Sequence, residues 1–237
     1  MNRPDANADS LSVAALCRLD DAVVRVIRSQ ANSSGLVRTA GLAILAGTLC
    51  YGFVFGLWRS PLQAVLSALK MPLLLVAVTL TSGLINGMLA QVLGTGLSFR
   101  QVLLCILVNL AIASLILGAL SPVMLFLVLQ LPSQDSPDAM LIYRTLLPAH
   151  TIIVAIAGII GCARLIELLR MLTGSAHVAR LVFLCWISVS GLTGIQLSWM
   201  ISPFLARPGE SVPIINPNAF ARNVFEYLAH TVTGGKL

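Results

Sequence analysis

From Thr39 to Leu205 the chain is almost continuously apolar, and Asp135, Asp138 and Glu167 are the only acidic residues in that stretch. Bilayer hydrocarbon is about 30 Å thick and each helical crossing takes roughly 20 mainly apolar residues, so the tract supplies several crossings. The whole chain follows suit: 57% of its 237 residues are hydrophobic and 10% charged, against about 25% charged in ordinary soluble domains. Its mean hydropathy is +0.92. The fold class this implies is all-α, a polytopic transmembrane helix bundle of about five spans with amphipathic N-terminal and C-terminal helices.

Charge and cysteine content narrow the function classes. The net charge of +6 comes from 15 basic residues spread singly along the sequence, which argues for membrane flanks and topology signals rather than a nucleic-acid surface. The five cysteines show no C-x-x-C spacing, and four of them (Cys50, Cys105, Cys162 and Cys185) lie in apolar segments, where thiols pack as small hydrophobes. No metal or cofactor is expected. The first 35 residues mix Arg with Asp and hold no apolar core, so they read as part of the mature protein and not as a cleaved leader.

Three regions follow. Residues 1–38 form a cytoplasmic segment in which 10–30 is read as one amphipathic helix. Its apolar face is Ala15, Leu16, Leu19, Val23, Val26 and Ile27, with Ser10 or Ser12 as N-cap. Residues 39–205 form the five-span bundle. Span one covers 39–57, and a short interfacial helix ends at Lys70. Span two runs from Met71 to Leu93 with Pro72 in its first turn. The apolar run 101–131 is too long for one straight crossing, and Pro122 either kinks it or divides it. Span four covers 145–169 with Pro148 in its first turn, and span five covers 181–201. Residues 206–237 form a Pro-rich tail with a short helix, Asn216 as N-cap, Pro217 as first helical residue, and Phe220, Val224 and Leu228 on one face. Threaded with the N-terminus inside, nine Lys or Arg residues fall on the cytoplasmic side and six on the other, a modest bias in that direction.

Within the spans, the glycine pairs Gly52 and Gly56, Gly83 and Gly87, and Gly158 and Gly161 have the spacing that brings helix backbones together. Arg164 and Glu167 share a helical face and read as an ion pair at a helix end. Asn86, Asn109 and Gln196 are buried amides whose default role is interhelical hydrogen bonding. Together with Arg164 and Glu167 they are also the candidates for a polar cavity. His150 is a single histidine near the hydrocarbon, where haem ligation takes two. Metalloprotease, nucleophile-elbow, paired-aspartate and phosphate-loop patterns are absent from the sequence, so the chain is expected not to be an enzyme.

The stretches RSPLQAVLSALKMPLLL (59–75), GIQLSWMISPFLARPG (194–209) and NVFEYL (223–228) resemble poorly characterised bacterial multispan inner-membrane proteins, loosely similar in layout to five-helix Yip1-like proteins. The acidic-Tyr-Gly-Pro motif of Yip1 proteins proper is not in the chain. The resemblance implies a membrane-organising or assembly role and carries over no catalytic residue. The expected partners are the lipid bilayer and either another protein or further copies of this chain. Trp199, Pro203 and Phe204 are the partner-facing candidates. A transporter or channel subunit is the alternative.

Overall fold

A computed structural model of the chain describes residues 11–30, 32–216, 219–220 and 223–226, and these are helical throughout apart from connections and tail. The helices are α1 (Val13–Arg18), α2 (Asp21–Ser29), α3 (Ser34–Leu57), α4 (Pro61–Val92), α5 (Phe99–Gln130), α6 (Ala139–Thr173) and α7 (Ala176–Ile201). The last five are each long and apolar enough to cross a membrane. The protein is an integral membrane protein built as an all-α bundle.

Local chemistry sets the helix limits. Ser12, Ser60, Ser98 and Ser175 precede α1, α4, α5 and α7, and each accepts a hydrogen bond from a backbone N–H of the first turn, satisfying a donor that has no intrahelical acceptor. Gln101 completes a capping box by accepting from the Ser98 N–H at 2.8 Å. Gly174 closes α6 at φ 66°, and Gly94 and Gly96 turn the chain between α4 and α5 at φ 63° and 69°, a region that glycine enters without steric cost.

Two expectations about these limits are corrected. The stretch 10–30 is two helices, because Leu19 takes φ 55° and ψ 45° and its N–H closes α1 before Asp20 opens α2. Ser10 lies outside the described residues. Pro72 and Pro148 are not in first turns but well inside α4 and α6, and of the two readings of Pro122 the structure has the single helix, with Pro122 inside α5. The interfacial helix ending at Lys70 is therefore the first third of α4, and residues 123–130 continue α5. In hydrocarbon a broken helix would expose backbone groups to lipid, so the helical path persists through a proline where neighbouring helices hold it. At 1.5 Å per residue the 32 residues of α4 and of α5 extend about 48 Å each, beyond the hydrocarbon at their ends.

Helix α3 is the central element, packed against both α4 and α5, while α7 touches α4 and α6 at the edge. Of the apolar window of α3, 56% is buried in the protein, against 17% for α7, which leaves most of α7 for lipid. Glycine sets the closest approaches. A Cβ on Gly47 would stand 2.0 Å from the Ser114 oxygen of α5, and one on Gly118 would stand 3.0 Å from the Gly47 Cα. Gly52 and Gly56 lie against the Ser67 and Gln63 carbonyls of α4 in the same way. Such contacts matter here because lipid offers helices no hydrophobic incentive to associate.

The flanking segments close the two ends. At one end, Leu16, Leu19, Val23 and Ile27 of the N-terminal segment are buried in a cluster with Leu36, Val102, Leu168 and Trp186. Arg28 donates to the Met171 carbonyl at 2.7 Å, and Gln101 donates to the Arg28 carbonyl at 3.1 Å. The amphipathic segment thus rests on the bundle. The other end holds a second cluster of Tyr51, Phe55, Trp58, Met71, Met124 and Leu205, over which the C-terminal tail folds back.

Candidate functional site

Helix α4 carries Gln63, Ser67 and Lys70 at spacings of four and three, hence on one face. All three are buried. Gln63 Nε2 donates to the Phe204 carbonyl at 3.0 Å and its Oε1 accepts from the Ala206 N–H at 3.2 Å. Ser67 donates to the same Phe204 carbonyl. Lys70 Nζ donates to the carbonyls of Pro203 at 2.7 Å and Pro213 at 3.3 Å. Just before α4, Arg59 donates to the carbonyls of Arg207 and Glu210. The tail is therefore latched by side chains that meet backbone oxygens. A hydrogen bond from a charged donor contributes about 1.5–3 kcal/mol and a neutral one about 1 kcal/mol.

Between the latched tail and helices α6 and α7 lies a cleft of about 830 Å³, lined among others by Tyr143, His150, Ser198, Trp199, Arg207 and Asn216. His150 is held from behind: its Nδ1 is 3.0 Å from the Tyr51 hydroxyl, and its ring stacks on Phe55 at a centroid distance of 4.0 Å. Asn216 Nδ2 donates to the Trp199 carbonyl and to Ser202 Oγ, closing the tail's turn. The cleft presents hydroxyl, imidazole and amide groups beside one exposed Arg207–Glu210 pair at 3.8 Å. That set suits binding a polar group.

A second cavity of about 210 Å³ lies inside the bundle, among α4, α5, α6 and α7. Asn86 and Asn109 both line it, with Ser82, Cys162, Trp186 and Ser190. Asn86 Nδ2 donates to Ser190 Oγ at 3.1 Å. Asn86 Oδ1, Asn109 Oδ1 and Trp186 Nε1 are buried with no partner among the described residues.

The five residues expected to form one polar cavity do not converge. Asn86 and Asn109 meet. Arg164 and Glu167 instead pair with each other at 2.8 Å on a part-exposed face of α6, each side chain 42% exposed. Gln196 accepts from the Val224 N–H at 3.1 Å near the tail. Helical register explains the separation, since α6 turns Arg164 and Glu167 away from the face that carries Cys162 and Leu165 into the cavity.

Among the glycine pairs, Gly83 and Gly87 face Leu103 and Phe99 of α5, and Gly161 makes room for Asn109, whose Oδ1 would be 2.8 Å from an added Cβ. Gly158 faces open space. Trp199, Pro203 and Phe204 belong to the latch and the cleft, with the Pro203 and Phe204 carbonyls turned to α4. The apolar side chains that the tail displays outward come later: Ile214 (69% exposed), Ile215 and Phe220 (87% exposed), with Phe225 partly exposed as well. Of the expected tail helix, residues 224–226 are helical, and Pro217 and Leu228 lie outside the described residues.

Sequence reasoning missed the latch. Its signal was available as the Gln63, Ser67, Lys70 stripe in an otherwise apolar helix. The Gly47–Gly118 crossing was missed because its two glycines lie 71 residues apart on different helices. All five cysteines are free thiols, and among the described residues no group of three or more His, Cys, Asp or Glu could hold a metal ion. No family model matches the chain, and no curated protein or solved structure matches it either.

Proposed function

We propose that this protein is a non-enzymatic accessory or assembly subunit of a bacterial inner-membrane complex, and that the latched tail is the element its partner binds. The observation that supports this reading most directly is the combination in one segment of rigid attachment and outward apolar display. The α4 side chains fix residues 203–213 from beneath, and Ile214, Ile215 and Phe220 are left uncovered. A segment held in this way loses little conformational entropy when a partner covers it. Such preorganised apolar anchors are what protein interfaces use.

The experiment is affinity purification in mild detergent of the wild type and of an Ile214→Ser, Phe220→Ser double variant. A specific protein, or a second copy of the chain, recovered with the wild type and lost with the variant at equal melting temperature supports the reading. A wild type that purifies as a lone monomer, or a variant that keeps the partner, overturns it. The transporter or channel reading draws support from one observation, the cavity shared by Asn86 and Asn109. Solute flux in liposomes, lost on Asn86→Leu, would favour it over the accessory role.

A further inference from the structure

The three unpartnered atoms around the inner cavity are two acceptors, Asn86 Oδ1 and Asn109 Oδ1, and one donor, Trp186 Nε1. Asn86 and Trp186 are 0% and 1% exposed. A buried amide or indole without a partner carries a desolvation cost of about 1–3 kcal/mol, so three around 210 Å³ call for something that completes them. Directly outside lies an apolar groove of about 590 Å³ between α6 and α7, lined by Ala155, Gly158, Ile159, Ala163 and Phe183. Cys162 and Ile187 line both spaces. The groove thus adjoins the amide cavity, with Cys162 and Ile187 at their common boundary.

We infer that this pair of spaces is a binding site for a single-chain lipid with a small, uncharged, hydroxyl-bearing head, the head in the cavity and the chain in the groove. Each part of that description has its own reason. No charged residue lines either space, so nothing there would neutralise a phosphate or carboxylate taken out of water. Both asparagine oxygens need donors, which hydroxyls supply and a quinone's carbonyls do not. The Trp186 N–H needs an acceptor, which the same hydroxyls provide. The apolar lining of the groove, with open space at Gly158, suits a hydrocarbon chain entering sideways from the bilayer. The site is independent of the tail and of any partner bound there.

Photolabelling of the purified full chain in detergent with a diazirine-bearing monoacylglycerol tests the inference. Saturable labelling within 155–166 and 183–191 is expected, competed by unlabelled monoacylglycerol and not by phosphatidylglycerol or an isoprenoid quinone. Asn109→Leu should weaken it at least about fivefold, the loss of one hydrogen bond in such a setting, and leave the melting temperature unchanged or raised, since it removes an unpartnered amide. A Cβ at Gly158 meets nothing within 4 Å, so Gly158→Leu directs its side chain into the groove and should cause the same loss, and a poorly folding Asn109 variant would not shield the claim. Labelling that fails to saturate, as expected if water alone fills the cavity, overturns it. So does equal competition by phosphatidylglycerol or the quinone, or labelling that both variants preserve.

Discussion

At Gly47 and Gly83 the same substitution should have unequal consequences, because different things face them. An added methyl at Gly47 meets the Ser114 backbone oxygen at 2.0 Å, whereas one at Gly83 meets only the end of the Leu103 side chain at 2.7 Å. A leucine methyl can rotate away and a helix backbone cannot. Gly47→Ala should therefore cost about 1–3 kcal/mol, as overpacking does, and Gly83→Ala should be nearly neutral, both read from thermal unfolding in detergent. Equal melting temperatures for the two variants would contradict the α3–α5 crossing described here. Backbone conformation gives a second prediction. Gln30 closes α2 at φ 57°, where an L-residue is disfavoured by about 1–2 kcal/mol. Gln30→Gly should raise stability by up to about 1 kcal/mol, part of the relief being offset by glycine's freedom in the unfolded chain. Leu19 has φ 55° too, but its buried side chain would be lost in the exchange, so no gain is expected there.

For the elements, the tail latch is the sharpest case. Lys70→Met keeps the length and apolar stem of the side chain but removes the charged donor to Pro203 and Pro213. Opening of the tail should become about tenfold or more frequent, the range set by one charge-assisted hydrogen bond. The readout is the rate of cleavage after Glu210 by a Glu-specific protease under conditions where local opening limits access; an unchanged rate would mean that Lys70 does not hold the tail. The latch also shows where sequence reading runs out. The five long helices were legible because lipid demands long apolar runs, whatever packs against them. Their ends were less so: Pro72 and Pro148 read as first-turn residues and Pro122 as either a kink or a division, and neighbouring helices carry the chain past all three. The amide cavity was half legible, since Asn86 and Asn109 stand out in apolar sequence, while the exclusion of Arg164 and Glu167 depends on helix rotation and that of Gln196 on its place beside the tail. The latch was illegible on its acceptor side, because carbonyl oxygens of residues 203–213 have no side-chain signature.

Across the whole molecule, five helices long and apolar enough to cross a membrane predict that the N-terminal segment and the tail lie on opposite faces of it. Single cysteines introduced at Ser12 and Ser211 in a chain with its native cysteines replaced should react with an impermeant thiol reagent from opposite sides. The modest Lys and Arg bias predicts position 12 inside; labelling of both from one side would rule out five crossings. Burial falls off from α3 at the centre to α7 at the edge, so core substitutions in α3 should be felt more strongly than similar ones in α7. The order in which the parts are made adds a last consequence. Helix α4 enters the membrane with Gln63, Ser67 and Lys70 already in place, yet the Pro203 carbonyl that Lys70 needs lies 133 residues downstream. At about 5–20 residues per second, the ribosome takes on the order of ten seconds to deliver it. For that interval a half-built chain carries an unsatisfied cation and amide in α4, so the newborn protein must be sheltered by the insertion machinery, or wait with that turn at the water interface, until its own C-terminal segment arrives to close it.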